Sequence, residues 1–324
     1  MPKKGCLGCS FPVLIGIIII VIALVVVGLL SGAMGKALVG ETGLGELFAI
    51  EKPHIQLPSE PLVHVFSVGN QDFNITNTLL ASWLSIIVLI GIAYAVTRRI
   101  KLIPSRLQSL VESAIEWMLN LCVDVAGEKY GRRFFPLVTT IFLFVLMNAW
   151  MNLIPGYGSI LVHTHGHEVH LLRGANTDIN TPLAIALIAF IFIESNGIRA
   201  LGGLRYFRKF FNVGRFFNGL GQLFRGKLRA GFAGIGMGGI DIFSGALEGM
   251  SEIFRIVSFT FRLFGNMTGG EILILMMMFL VPWVVAIPFY GLELLIGLVQ
   301  AIIFAGLTLV FATVAVTPHE GNEH

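Results

Sequence analysis

Long apolar runs alternate with charged or glycine-rich segments along this 324-residue chain. A helix needs about 20 apolar residues to cross the hydrocarbon core of a bilayer. Six runs are close to this length or exceed it, so we predict an all-α polytopic membrane protein with about six membrane segments. The runs cover residues 11–30, 78–97, 134–154, 182–198, 240–280 and 284–316.

The last two runs are longer than a perpendicular span requires, so their helices must tilt or bend within the membrane. Pro282 and Pro288 mark the turn between them, because proline ends or kinks a helix. We therefore predict that these two runs are long tilted helices that form a hairpin.

A further helix is predicted at residues 105–126. Apolar residues recur there with the helical period, while Gln108, Glu112 and Glu116 occupy the other face. Such an amphipathic helix lies at the membrane interface. A soluble helix that packs on a partner has the same pattern and remains the alternative.

The chain divides into three parts by sequence. Residues 1–35 are predicted to hold an N-terminal membrane span, with a cleaved signal peptide as the alternative because Ser31, Gly32 and Ala33 are small. Residues 36–77 contain prolines and glycines and are predicted to form an outside loop. Residues 78–324 form the main membrane domain, with a basic cytoplasmic insert at 199–239.

Composition and charge support this class. Hydrophobic residues make up 55% of the chain and charged residues 13%, whereas soluble domains are about one quarter charged. Lys and Arg accumulate in cytoplasmic loops, and an inside N-terminus leaves only Lys36, Lys52 and Arg173 outside. We therefore predict that both termini lie in the cytoplasm.

Eight Lys or Arg residues and no acid lie between Arg199 and Arg229, interleaved with phenylalanines. A nucleic-acid-binding surface has this composition, and so does a segment that lies on anionic lipid heads. Beside several membrane spans the second interpretation is favoured. We therefore predict the lipid bilayer as a partner and no binding of nucleic acid.

Two groups of residues contain types that ligate metals. Four histidines lie at positions 163, 165, 167 and 170, and alternation places the first three on one side of an extended strand. No acid or cysteine set completes a metal site, so we predict none; proton buffering near a channel mouth is the alternative. Cys6 and Cys9 can bind metal or accept a lipid, but no second pair accompanies them and we interpret them as incidental.

Charged residues interrupt the apolar run 240–280. Asp241, Glu248, Arg255 and Arg262 recur every seven residues, and a heptad drifts by only about 20° on a helix, so they share one stripe. An ionisable side chain at the bilayer centre costs about 2.5–3.5 kcal/mol. A functional stripe is therefore our hypothesis, and a structural ion pair between packed helices is the alternative.

Arg262 stands out within this stripe because no acid lies three or four residues from it. Glu248, Glu252 and Arg255 can instead satisfy one another at helical spacing. Arg262 therefore needs a partner from another segment or another subunit. Glu271, nine residues further along, faces a different neighbour about half a turn away.

Polar residues also occur in two other runs. Asn148 and Asn152 are four residues apart on one face of the run 134–154, where amides either join helices or line a pore. Glu293 and Gln300 are seven residues apart on one face of the last run, and the hairpin directs them toward the run 240–280.

Several of these segments resemble subunit a of the F-type ATP synthase membrane sector. They are FRLFGNM at 261–267 followed by Gly270 and Glu271, LVQAIIF at 298–304, NITNT at 74–78 and NTDINT at 176–181. The arginine motif is highly specific, and the resemblance extends from about Leu47 to the C-terminus. An N-terminal run that starts inside departs from the usual pattern of the family.

The resemblance implies a non-catalytic, proton-translocating stator subunit of a rotary ATP synthase in a bacterial plasma membrane. The implied partners are a ring of small carboxylate-bearing c subunits and the peripheral stalk b subunits, without a cofactor. The implied proton-translocation residues are Arg262, Glu271, Glu293, Asn266, Gln300 and Glu248. Our secondary candidates are Arg255, Glu252, Asn148, Asn152 and Asp178.

Elementary electrostatics agrees with this role. A carboxylate carried by a moving partner crosses lipid in its neutral form and needs a fixed cation when it ionises. Arg262 supplies that cation and, being always protonated, does not relay the proton itself. A secondary transporter with midplane charges and a membrane-anchored scaffold are the alternatives, and both H⁺ and Na⁺ remain open as the transported ion.

Overall fold

The structure, a computed structural model, describes residues 11–34, 59–68, 71–98, 100, 104–164, 167–203 and 228–317, with single residues between 206 and 221. The features predicted at Cys6, Cys9 and His165 lie outside the described residues. Residues 36–58 of the predicted outside loop and most of the basic insert also lie outside the described residues.

Six described helices are long and apolar enough to cross a membrane, which confirms the predicted class. Except at the starts of the third and fifth helices, their bounds lie close to those of the apolar runs, because a backbone in lipid must satisfy its hydrogen bonds within the helix. They are α1 (Phe11–Ser31), α2 (Asn77–Thr97), α3 (Arg106–Asn152), α4 (Asn180–Leu201), α5 (Leu228–Leu280) and α6 (Ala286–Val316).

Helix α3 combines two predicted elements. Its backbone is not helical at Gly127, where φ is 74° and ψ is 167°. Only glycine adopts this conformation without strain. Gly127 therefore separates the amphipathic limb, residues 106–126, from the apolar limb that follows.

Helix α5 begins twelve residues earlier than the apolar run 240–280 predicts. The prediction places residues 228–239 in the basic insert, and they are rich in glycine, which lowers helix propensity by about 1 kcal/mol per residue. The helix nevertheless includes them, and glycine is common in membrane helices. With 53 residues, α5 is about 80 Å long at about 1.5 Å per residue, so it must tilt or bend in a bilayer.

Two antiparallel hairpins, absent from the prediction, lie between the helices. Strands β1 (Pro61–Val68) and β2 (Gln71–Thr76) form the first, and β3 (Leu161–Thr164) and β4 (His167–His170) form the second. Since Thr164 pairs with His167, His163 and His167 lie on different strands. The prediction of one extended histidine strand is therefore wrong, because the chain reverses within it.

The described residues form two compact units, and helices α2, α3, α5 and α6 contribute to both. The first unit comprises Met1–Ser82, Asn148–Asp178 and Gly265–Val299. Within it, Gly28 and Gly32 of α1 pack so closely on the backbone of Leu280 and Pro282 that a Cβ at either glycine would overlap it. The Trp150 indole donates to the Leu294 carbonyl at 3.2 Å.

The second unit comprises Trp83–Met147, Ile179–Phe264 and Gln300–His324. Its core contains Phe134 of α3, whose ring meets that of Phe192 edge to face at 5.7 Å. Phe259 of α5 contacts Phe304 and Phe311 of α6, with ring centroids 4.9 and 5.9 Å apart.

Helices α5 and α6 also contact each other in the first unit, where Tyr290 Oη donates to Met278 Sδ at 3.8 Å. Each unit thus contains its own contacts between α5 and α6, which confirms the predicted hairpin.

Candidate functional site

Arg262 lies on an exposed face of α5 in the second unit. Ser258, four residues before it, is also exposed, whereas the adjacent Leu263 is completely buried. Among the described residues, none forms a hydrogen bond or an ion pair with Arg262. The guanidinium therefore points away from the core of its own unit, with an exposed Phe261 beside it.

Three charged residues that precede Arg262 on α5, Glu248, Glu252 and Arg255, are buried or partly buried. The Arg255 guanidinium lies over the Phe311 ring, 3.9 Å from its centroid, a cation–π contact. Glu252 is buried and Glu248 is partly buried. Arg255 is therefore stabilised within its unit, unlike Arg262.

Tyr206, one of the few described residues of the basic insert, is buried near these charges. Its ring packs on Gly197 of α4 so closely that a Cβ there would overlap it. Burial raises the pKa of the Tyr206 phenol, and the neighbouring Glu194 and Glu252 carboxylates raise it further. The hydroxyl therefore stays protonated at physiological pH, and Tyr206 anchors the insert to α4.

Glu271 of α5, in the first unit, forms an ion pair with Arg173. Arg173 Nε lies 3.3 Å from Glu271 Oε1 and 3.4 Å from Oε2, and its Nη2 lies 3.4 Å from Oε2. The two side chains are only 11% and 22% exposed. The acid implied for proton transfer is thus paired with Arg173, which the distribution of basic residues places on the outer side of the membrane.

Glu293 of α6 is 5% exposed, and its carboxylate contacts Gly270 of α5. A side chain at position 270 would overlap this carboxylate, so glycine is the residue that leaves room for it. Asn266, in the same unit, is partly buried. Gln300 is buried in the second unit.

Further buried polar residues surround the short 3₁₀ turn Ala175–Thr177 in the first unit. Asp178 accepts a hydrogen bond from Thr78 Oγ1 at 3.2 Å. Asn176 is completely buried, and neither atom of its amide has a hydrogen-bond partner among the described residues. Asn148 is buried, and the Asn152 side chain packs against Gly174. The two asparagines of α3 therefore lie in a polar region.

The arrangement offers charge stabilisation and proton exchange. Carboxylates can accept and release protons, whereas an arginine offers a permanent charge. The described part of the chain contains no group of three His, Cys, Asp or Glu residues that could hold a metal ion. His170 belongs to the segment 163–170 that carries the four histidines, here called the histidine loop. It donates its Nδ1 proton to the Gly158 carbonyl at 2.6 Å.

Comparison with known proteins decides the family. Residues 79–313 match the family described as ATP synthase A chain. The chain belongs to this family. The family therefore includes most of the chain, from α2 to near the end of α6, and both the arginine motif and the two acids lie within the matched residues.

Individual relatives agree with the ATP synthase A chain assignment. An ATP synthase subunit a of a Nitratiruptor species is 31% identical over 256 residues, which cover 79% of this chain and 95% of the relative. An ATP synthase subunit a of Helicobacter pylori is 30% identical over 257 residues, or 79% and 96%. Another, from Helicobacter acinonychis, is also 30% identical over 257 residues, with the same shares of the two chains.

The resemblance inferred from the arginine motif is thus confirmed. As a member of the ATP synthase A chain family, the chain is a non-catalytic, proton-translocating subunit of the membrane sector. The alternatives of a secondary transporter and of a membrane-anchored scaffold are set aside by this membership. It is a multi-pass membrane protein with bacterial relatives.

Sequence reasoning missed Arg173, the ion-pair partner of Glu271. A signal was present, because Arg173 is the only Lys or Arg between Arg133 and Arg199 and it lies three residues before the segment NTDINT. The count of basic residues used it only to assign a side of the membrane. An isolated arginine next to a segment that resembles a known family is a reason to search for an acid that pairs with it.

Proposed function

We propose that Arg262 is the fixed cation opposite the carboxylates of a rotating ring of c subunits. The observation that supports this role is its exposure on α5 without a described partner. A charge at membrane depth costs about 2.5–3.5 kcal/mol when it faces lipid. A partner surface that brings an acid to this position removes that cost.

The cation has two effects on the ring. It stabilises a carboxylate that has released its proton, so that ionisation can occur inside the membrane. It also separates two aqueous half-channels, because arginine does not release its own proton at accessible pH. Each ring carboxylate must therefore exchange its proton on one side of Arg262 before it passes to the other.

Glu271 and Glu293, with Asn266, line the outer half-channel in this proposal. In the same proposal, Gln300 acts beside the arginine and Glu248 marks the cytoplasmic exit. The burial of Glu293 and the partial burial of Glu271 support a path away from bulk water. Arg255, Glu252, Asn148, Asn152 and Asp178 are secondary members, which hold the helices or the water of the path in place.

A photocrosslinking experiment tests the surface around Arg262. In the assembled ATP synthase, a benzophenone maleimide attached to Ser258→Cys should form an adduct with the c subunit. The matched control is Ile253→Cys, which is also exposed but lies nine residues from Arg262, on the opposite side of the helix. We expect the Ser258 adduct with the c subunit to exceed that of the control, because the two positions lie on different faces of the helix.

Equal adducts at the two positions, or an adduct of Ser258→Cys with the b subunits alone, would contradict the assignment of this face to the ring. The b subunits of the peripheral stalk are the other proposed partners, and this chain forms the stationary part with them.

The proposed orientation places both termini, the basic insert and residue 105 in the cytoplasm, and the histidine loop outside. Basic residues support it, because they accumulate on the cytoplasmic side. Cysteines at Lys3 and Arg215 should therefore react with an impermeant maleimide only from the cytoplasmic side, and a cysteine at His165 only from outside. The background replaces Cys6, Cys9 and Cys122 by serine. Labelling of positions 3 and 165 from one side would show that residues 11–30 are not a retained span.

A further inference from the structure

The Arg173–Glu271 ion pair differs from a surface pair in its burial. Arg132 and Glu128 of α3 also form an ion pair, at 3.1 Å, but their side chains are 69% and 77% exposed. Exposed pairs contribute little, whereas removal of one member of a shielded pair leaves a charge that water cannot fully solvate. Arg173 and Glu271, at 11% and 22%, are of the second kind.

The loop that carries Arg173 is packed and hydrogen-bonded against its neighbours. Gly174 packs on the Asn152 side chain so closely that a Cβ at this position would overlap it. The Thr177 hydroxyl donates to the Gly174 carbonyl at 2.7 Å. Asp178, at the end of the turn, is bound by Thr78 of α2. Arg173 therefore approaches Glu271 from a fixed backbone.

The same loop contains a buried amide that needs water. Asn176 is completely buried and both atoms of its amide lack a partner among the described residues. A buried amide without hydrogen bonds is costly, and a water molecule is its usual partner in a polar site. Asn176 therefore offers two hydrogen-bonding atoms that no described residue uses, on the loop that carries Arg173.

We propose that Arg173 is a positioning residue of the outer half-channel, which fixes the Glu271 carboxylate as an oriented anion. Its contacts reach both carboxylate oxygens, so the carboxylate cannot turn freely about its last bond. Protons then pass to Glu293, whose carboxylate lies against Gly270, the residue before Glu271. This inference rests on the proposed half-channel and adds the residue that orders it.

The test uses the whole ATP synthase reconstituted in lipid vesicles, with proton flux measured as a function of proton concentration. Arg173→Gln should lower the maximal flux about tenfold, within the range of coupling measured for residues in contact. Arg173→Lys should recover at least about a third of the wild-type flux, since it keeps the charge but not the fork of donors. Arg132→Gln is the control and should leave the flux unchanged.

A double variant separates positioning from general damage. If Arg173 acts through Glu271, Arg173→Gln combined with Glu271→Gln should be no slower than Glu271→Gln alone. Wild-type flux in Arg173→Gln, failure of Arg173→Lys to exceed Arg173→Gln, or a product of the two single losses in the double variant would overturn the inference.

If a single variant does not assemble, a double variant that exchanges the two charges between positions 173 and 271 still tests the contact. Arg173→Glu combined with Glu271→Arg should restore the assembly that Arg173→Glu loses, and an exchange without any recovery would contradict the contact. Arg262→Ala, measured in parallel, distinguishes the two proposals. If Arg262→Ala loses coupled ATP synthesis and Arg173→Gln has normal proton flux, only the role of Arg173 is refuted. If Arg262→Ala still couples proton flux to ATP synthesis, the proposed function itself is refuted.

Discussion

Arg262→Ala is expected to abolish coupled ATP synthesis while the complex still assembles. The side chain is exposed and has no described partner, so its truncation removes no described contact within the chain. It leaves an ionised ring carboxylate without a cation, at a cost of about 2.5–3.5 kcal/mol. Since about 1.4 kcal/mol corresponds to a tenfold change in rate, synthesis should fall by roughly 100-fold or more. The measurement is ATP synthesis by reconstituted vesicles under an imposed proton gradient.

Two further variants sharpen this prediction. Arg262→Lys should also fail or nearly fail, because lysine is a point charge on a flexible stem and loses its proton more readily when it is desolvated. Arg132→Ala, which removes an exposed arginine from an exposed pair, should synthesise ATP normally. A passive proton leak in assembled Arg262→Ala would support a separating role, whereas near-normal synthesis in that variant would refute the central proposal.

Glu271→Gln and Glu293→Gln are each expected to slow proton flux by about tenfold, since a positioned acid or base typically contributes at least that much to a proton transfer. Glutamine keeps the shape of the side chain and removes its proton exchange. The two residues belong to the same unit, and the Glu293 carboxylate contacts the residue before Glu271. If they act as one relay, the double variant should lose much less than the product of the two single losses.

The cycle is measured as flux through the assembled complex, with Glu128→Gln as the control for an exposed acid. Two independent acids give multiplicative losses, about 100-fold in the double variant if each loses tenfold. That result, or normal flux in both single variants, would show that the pair is not a relay. The assembled fraction of each variant must be determined first, because Glu293 is buried.

The helices could be predicted from sequence because each is a local pattern. An apolar run of about 20 residues has only one solution in a bilayer that satisfies its backbone, and the bounds of α2 differ from the predicted run by a single residue. The start of α5 could not be predicted in this way, since the glycines of residues 228–239 oppose a helix in water but occur commonly in membrane helices.

Some features of the candidate site could likewise be predicted from local sequence, and others could not. The lack of a local acid near Arg262 is visible in helical spacing, and the structure describes no partner for it. The partner of Glu271 is 98 residues away in sequence, on a loop whose path depends on Gly174, Asn152 and Thr78. No periodicity connects such positions. The reversal between Thr164 and His167 was missed for a related reason, because an alternating strand and a short hairpin have the same pattern.

The contact between Gly270 and Glu293 restricts how this protein can change over evolutionary time. Any side chain at position 270 would occupy the space of the Glu293 carboxylate, so a larger residue there is compatible only with a shorter or differently directed residue at position 293. The two positions form a single steric unit although 22 residues separate them in the chain. A bulky residue at 270 beside glutamate at 293 therefore requires this carboxylate to turn away from the position that it occupies against α5.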